Sequence, residues 1–127
     1  SLGIGGHLIH WGAERRAEAA HWIARYKEIR PIIQQGDCYR LRSPQAHPFS
    51  AVQYVSKDRS EALLFAFRTH MPYKSQLPRI YPRGLDPQAN YTIEGLPGIR
   101  SGQSWMRAGI TIALQDFEST IRHIQRV

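Results

Sequence analysis

At Gly36 the period of the apolar residues changes. Before it, Ala19, Ile23, Tyr26, Ile29 and Ile33 recur at spacings of three and four, and Trp22 and Ile32 widen the stripe, which predicts one amphipathic helix. After it the period is two, which predicts short strands. A helix of this kind cannot bury its stripe alone, and a small β domain has no ordinary need of it. The join is therefore expected where the closing helix of a larger α/β protein runs into a β domain. Functional residues of such a protein can lie upstream of what this chain contains.

The helix is predicted from about Ala13 to Gln34. Glu14 and Glu18 sit in its early turns and Arg25, Lys27 and Arg30 in its later ones, as the helix dipole favours. Pro31 is expected to kink or end it, because proline cannot donate to the helical ladder, and Gly36 is a natural stop. Strands are predicted at Cys38–Arg42, Ala51–Val55, Ala62–Arg68, Pro78–Tyr81, Asn90–Glu94, Ile110–Leu114 and Glu118–Ile124, with a loop over Met71–Leu77 and a short helical turn from Ser101 to Gly109. Ala51–Val55 and Ala62–Arg68 flank the polar turn Ser56–Ser60, so they are expected to pair as an antiparallel hairpin. The second of these is the most apolar stretch of the chain and is expected to be central. The fold class is thus mainly β: a small antiparallel Greek-key β-sandwich preceded by one helix.

The net charge is +7 over 127 residues, yet Lys and Arg are scattered and never run four together. No nucleic-acid signature accompanies them, and no apolar stretch approaches the ~20 residues of a membrane span. Neither nucleic acid nor membrane is expected as a partner. The single cysteine, Cys38, is read as a buried small apolar residue; it fits a reducing, cytoplasmic setting.

Candidate chemistry is sparse. The acidic residues Glu14, Glu18, Glu28, Asp37, Asp58, Glu61, Asp86, Glu94, Asp116 and Glu118 fall mostly in turns or on the polar helix face, so no pair is assigned to general acid–base work. His7, His10 and His21 do not form a metal-ligand spacing. Ser101-Gly102 lacks the preceding glycine of a nucleophile elbow. Gly3-x-Gly5-Gly6 is not a dinucleotide fingerprint. No catalytic, cofactor-binding or metal-binding residue is expected. Among the aromatics, Trp11, Tyr73 and Trp105 are those whose exposure would suggest a sugar platform; the rest are spaced as core.

Several segments, in order, resemble one family. Trp22-Ile23-Ala24-Arg25-Tyr26-Lys27-Glu28-Ile29-Arg30-Pro31 followed by Gly36-Asp37-Cys38-Tyr39-Arg40-Leu41 is similar to the end of the barrel in family 36 glycoside hydrolases, the microbial α-galactosidases or melibiases. Val55-Ser56-Lys57-Asp58-Arg59-Ser60-Glu61-Ala62 resembles the family's hairpin. Gly84-Leu85-Asp86-Pro87-x-x-x-Tyr91 and Ser101-Gly102-x-x-x-Met106-x-x-Gly109-Ile110 also fit. The resemblance implies that residues 1–35 are the last strand, loop and helix of a (β/α)8 barrel and that 36–127 are the C-terminal β-sandwich. It implies a parent enzyme that hydrolyses terminal α-galactosyl groups with retention, needing no metal or organic cofactor. The two aspartates of that chemistry would lie upstream, because the Lys-x-Asp of the nucleophile does not occur here. The sandwich would then support the barrel of the same polypeptide and contribute to subunit contacts. The competing reading is an independent carbohydrate-binding sandwich, which requires coplanar exposed tryptophans on one face.

Overall fold

A computed structural model describes residues 2–73 and 75–127. Ser1, at the head of the expected barrel remnant, and Lys74, within the expected loop Met71–Leu77, lie outside the described residues. Leu2 to Gly6 carries no strand pairing, and Leu8–His10 forms one turn of 3-10 helix. Helix α1 spans Ala13–Gln35. Strands β1 (Asp37–Arg42), β2 (Phe49–Val55), β3 (Glu61–Arg68), β4 (Asn90–Ile93), β5 (Arg100–Ser101) and β6 (Ser119–Arg126), with the short helix α2 (Gly102–Ala108) after β5, complete the chain.

The six strands form one antiparallel sheet in the order β1-β2-β3-β6-β4-β5. As expected, β2 and β3 make a hairpin, in the register Ala51↔Ala66 and Val55↔Ala62, and β3 lies inside the sheet, paired on its other side with β6. The mainly-β antiparallel character and the single leading helix are as the sequence implies.

Alternation sorts the side chains onto two faces. Phe49, Ala51 and Val55 of β2, Ala62, Leu64 and Ala66 of β3, and Tyr91, Ile93 and Ile124 enter the main core. That core is closed by Met71, Ile80, Leu85, Trp105, Ile110, Ile112 and Leu114, all from the long connections between β3 and β6. The opposite face of the sheet is covered by α1. Ile29 and Ile32 are buried there against Leu63, with Ile33, Tyr54, Phe65 and Ile121 around them. The stripe on α1 therefore finds its partner in the sheet, through the C-terminal half of the helix. Each large side chain so buried contributes about 1.5–3 kcal/mol.

Four expectations are corrected. The helix continues through Pro31 to Gln35, since the carbonyl that proline leaves unpaired, that of Lys27, belongs to an exposed residue that water can serve. Cys38 is exposed. It lies on β1, an edge strand, opposite Tyr54 of β2, on the side of the sheet that α1 covers only further in. Pro78–Tyr81 and Ile110–Leu114 are not strands. They meet only at the bridge Ile80↔Ile110, although Ile110, Ile112 and Leu114 keep the alternating burial of a strand. Proline on both sides of Arg79-Ile80-Tyr81 removes the donors a longer ladder would need.

Candidate functional site

The motif residues converge at one end of the sheet, in a hydrogen-bonded hub. The turn between β2 and β3 is held by Asp58. Its Oδ1 accepts from Ser56 Oγ at 2.7 Å, Ser60 Oγ at 2.7 Å and the Ser60 amide at 3.0 Å. Ser56 Oγ in turn accepts from the Glu61 amide at 3.1 Å. This ring lets Arg59 hold a left-handed backbone, φ 58°, a conformation that costs a non-glycine residue energy unless its surroundings enforce it. Arg59 then offers its carbonyl to the buried Tyr91, whose hydroxyl donates to it at 2.7 Å and accepts from the Asp86 amide at 3.0 Å. Asp86 caps its own turn through Oδ1 and the Gln88 amide, 2.9 Å.

The other motif fits against the same hub. Ser101 caps α2, accepting from the Ser104 amide at 3.1 Å, which is the ordinary work of an N-cap serine. The Gly102 amide donates to the Ala89 carbonyl at 2.8 Å. A Cβ at Gly102 would stand 2.1 Å from the Asp86 carbonyl oxygen, so no other residue lets the two backbones approach this closely. Gly84, at φ +72°, lies beneath the Tyr39 ring, where a Cβ would meet the hydroxyl at 2.6 Å. Trp105 is buried, donates Nε1 to the Tyr91 carbonyl at 2.9 Å and carries the Arg100 guanidinium 4.7 Å from its ring centroid.

The remaining candidates are dispersed. Asp116 accepts from Arg68 Nε at 2.9 Å and the Met71 amide at 3.1 Å, and meets His70 Nδ1 at 2.7 Å. Glu94 joins α1 to the sheet through Arg25, 3.0 Å, and the His123 amide, 3.1 Å. Glu61 approaches His123 Nε2 at 3.2 Å, and Glu28 pairs with Arg25. Asp37 pairs with Lys57, and Glu118 accepts from the Gln115 amide at 2.8 Å. The His7 and His10 rings lie 6.0 Å apart, edge to face. Among the described residues no group of three His, Cys, Asp or Glu side chains is placed to hold a metal ion. Tyr73 is 92% exposed, Trp11 is half-buried and Trp105 is 2% exposed, so Trp105 cannot serve a sugar platform.

Two carboxylates are shifted. Asp58 falls from an ordinary 3.8 to about 2, chiefly through the Ser60 amide and then the Ser56 and Ser60 hydroxyls. Asp116 is lowered as well, first by the Met71 amide and then by His70. A carboxyl whose folded-state pKa is depressed stabilises the fold above its unfolded value and loses that contribution as pH falls through the folded one. Stability is thus expected to drop between about pH 4 and pH 2. Asp58→Asn is expected to lower the urea midpoint at pH 7 and to flatten part of this acid slope, leaving the share that Asp116 carries. A variant with the parent's midpoint and slope would show that the turn does not depend on the charge.

Sequence reading did not single out Gln53. It is fully buried in β2 and clamps the Arg83 backbone through both amide atoms at 2.9 Å. A polar residue at an inward position of an otherwise apolar alternation is the signal that marks it.

The comparisons with known proteins agree with this geometry. The model of the glycosyl hydrolase family 36 C-terminal domain matches residues 49–124, which include β2 to β5, α2 and most of β6. The chain is 33% identical over its whole length to a probable alpha-galactosidase C of Aspergillus terreus, covering 17% of that protein. It is 37% identical over 83% of its length to the alpha-galactosidase AgaA of Geobacillus stearothermophilus, covering 14% of it. The crystal structure of the family 36 alpha-galactosidase AgaB from the same bacterium superposes with a TM-score of 0.87 at 34% identity, over 94% of this chain and 17% of that one. An AgaA variant crystallised with raffinose superposes with a TM-score of 0.86 at 32% identity, over the same shares. The chain therefore spans about one sixth of the length of these relatives, and it belongs to the glycosyl hydrolase family 36 C-terminal domain family.

Proposed function

We propose that this chain is the C-terminal domain of a longer retaining α-galactosidase and that it supports the catalytic barrel of the same polypeptide. The observation that carries this reading is the match, over most of the chain, to one small part of enzymes named as alpha-galactosidases. On this reading residues 1–35 close the barrel and 36–127 form the supporting domain. The substrate class is the terminal α-galactosyl group of raffinose-type sugars, as in the relative crystallised with raffinose. The chain itself contributes no catalytic carboxylate. In support, Asp58 and Asp86 are engaged in turns, accepting from Ser56 and Ser60 and from the Gln88 amide. No described helix is long and apolar enough to cross a membrane; the single cysteine accords with a cytoplasmic setting.

The reading of a free-standing sugar-binding module is not favoured, because Trp105 is core and the exposed Trp22 belongs to α1.

The test has two arms. The open reading frame that carries this chain should hydrolyse a chromogenic α-galactoside with retention of configuration. The 127-residue chain alone should give no turnover above blank. Turnover by the chain that vanishes in Asp58→Ala or Asp86→Ala would place a catalytic carboxylate inside it and overturn the supporting role.

A further inference from the structure

Between α1 and the start of β6 lies an open cleft of about 410 Å³, within the ~300–1,000 Å³ of small-molecule sites. Its lining is mixed: Trp22, Arg25 and Glu28 from α1, Glu94 from the turn after β4, and Ser119 and Thr120 from β6. Trp22 is 46% exposed, although Ile29 and Ile32, further along the same helix, are buried against the sheet. The His21 ring stands edge to face with the indole, 5.5 Å between centroids. Arg25 forks between two carboxylates, 3.5 Å from Glu28 Oε2 and 3.0 Å from Glu94 Oε2. Glu94 Oε2 also accepts from the His123 amide at 3.1 Å. Among the described residues Glu94 Oε1 and the Ser119 and Thr120 hydroxyls make no hydrogen bond within the chain.

We propose that this cleft binds an uncharged pyranose, such as a galactosyl unit. The indole offers an apolar surface to the C–H face of the sugar ring. The unengaged carboxylate oxygen and the two hydroxyls beside it exchange hydrogen bonds with the sugar's hydroxyls, and bonds to a charged acceptor are the stronger ones. Charge selects against other ligands. One guanidinium set against two carboxylates leaves the cleft net negative, which repels an anion. A quaternary ammonium ion would favour the indole face, but Arg25 already stands as the cation between both carboxylates. The site is one helix tryptophan among polar neighbours, so it is a subsite of this domain and not the broad platform of a free-standing module. It stands on the geometry of this chain and holds whatever the parent hydrolyses.

Labelling with 5-fluorotryptophan places a fluorine reporter at each of Trp11, Trp22 and Trp105, and Trp22→Phe identifies the signal of Trp22. Methyl α-D-galactopyranoside should shift that signal saturably and leave the buried Trp105 in place. Half-saturation is expected on the order of 1 mM, for a ligand of about a dozen non-hydrogen atoms. Glu94→Gln should raise it about fivefold or more; Glu28→Gln, on an exposed part of the helix, serves in its place should the first variant unfold. A Trp22 signal that does not move with the sugar overturns the proposal. So does a folded glutamine variant that binds as its parent does, because the polar half of the site would then contribute nothing. An equal shift with tetramethylammonium would make the cleft a cation site and overturn it too. The same titration of the labelled full open reading frame should move the Trp22 signal alike. A signal that moves in the chain and stays fixed in the longer protein would show that the rest of the polypeptide fills the cleft, which also overturns the proposal.

Discussion

Gly102→Ala is expected to lower the melting temperature of the chain by about 10 °C, the largest loss foreseen for any single methyl group added to it. The added carbon would sit 2.1 Å from the Asp86 carbonyl oxygen and 3.1 Å from the Tyr91 ring. Neither neighbour is the loose end of a flexible side chain. Asp86 is fixed through its amide by Tyr91, and Tyr91 is fully buried. Relief requires moving α2 away from the turn that precedes β4, breaking the bond from Gly102 to Ala89. Overpacking of a tight site costs about 1–3 kcal/mol and more where backbone must shift; the upper end applies here. Circular-dichroism melts of the two proteins decide the matter, and a variant within 2–3 °C of its parent would show that the two backbones separate freely.

Tyr91 is the second position of large effect. Tyr91→Ala should cost about 3–5 kcal/mol, as large buried aromatics do, because the ring is a fully buried part of the main core. Tyr91→Phe isolates the hydroxyl. It keeps the ring but strips the partner from the Asp86 amide and the Arg59 carbonyl, a loss of about 1–3 kcal/mol. Urea unfolding of the three proteins separates the two contributions. A phenylalanine variant as stable as its parent would mean that water replaces the hydroxyl at no cost, and that the two motifs are joined by packing alone.

Much of this fold was legible because its signals are local. The helical stripe from Ala19 to Ile33 and the alternation in Ala51–Val55 and Ala62–Arg68 gave α1, β2 and β3 nearly to the residue. Pairing was less legible. Ile110, Ile112 and Leu114 alternate as a strand does, but whether an extended segment joins a ladder depends on a neighbour, and the neighbour here is broken by Pro78 and Pro82. Cys38 was misplaced for a related reason. Its residue type favours burial, while its exposure follows from sitting in β1, at the sheet margin. The hub was visible only as separate motifs. Nothing in the chain order tells that the Tyr91 hydroxyl reaches Arg59, 32 residues earlier.

The two-sided covering of β3 bears on how such a domain can be inherited. Leu63, with no exposed surface, is shut in by Ile29 and Ile32 of α1, while its neighbours Ala62 and Leu64 are shut in from the other side. The family match begins only at Phe49, after α1 and β1. A crossover between related genes at that point would carry the sheet away from the helix fitted to it. It would set a foreign helix against Leu63, Phe65 and Ile121. The segment that can be exchanged intact between related enzymes therefore starts no later than Ala13, and α1 must travel with the sheet it covers even though, on the proposed reading, it also serves the barrel.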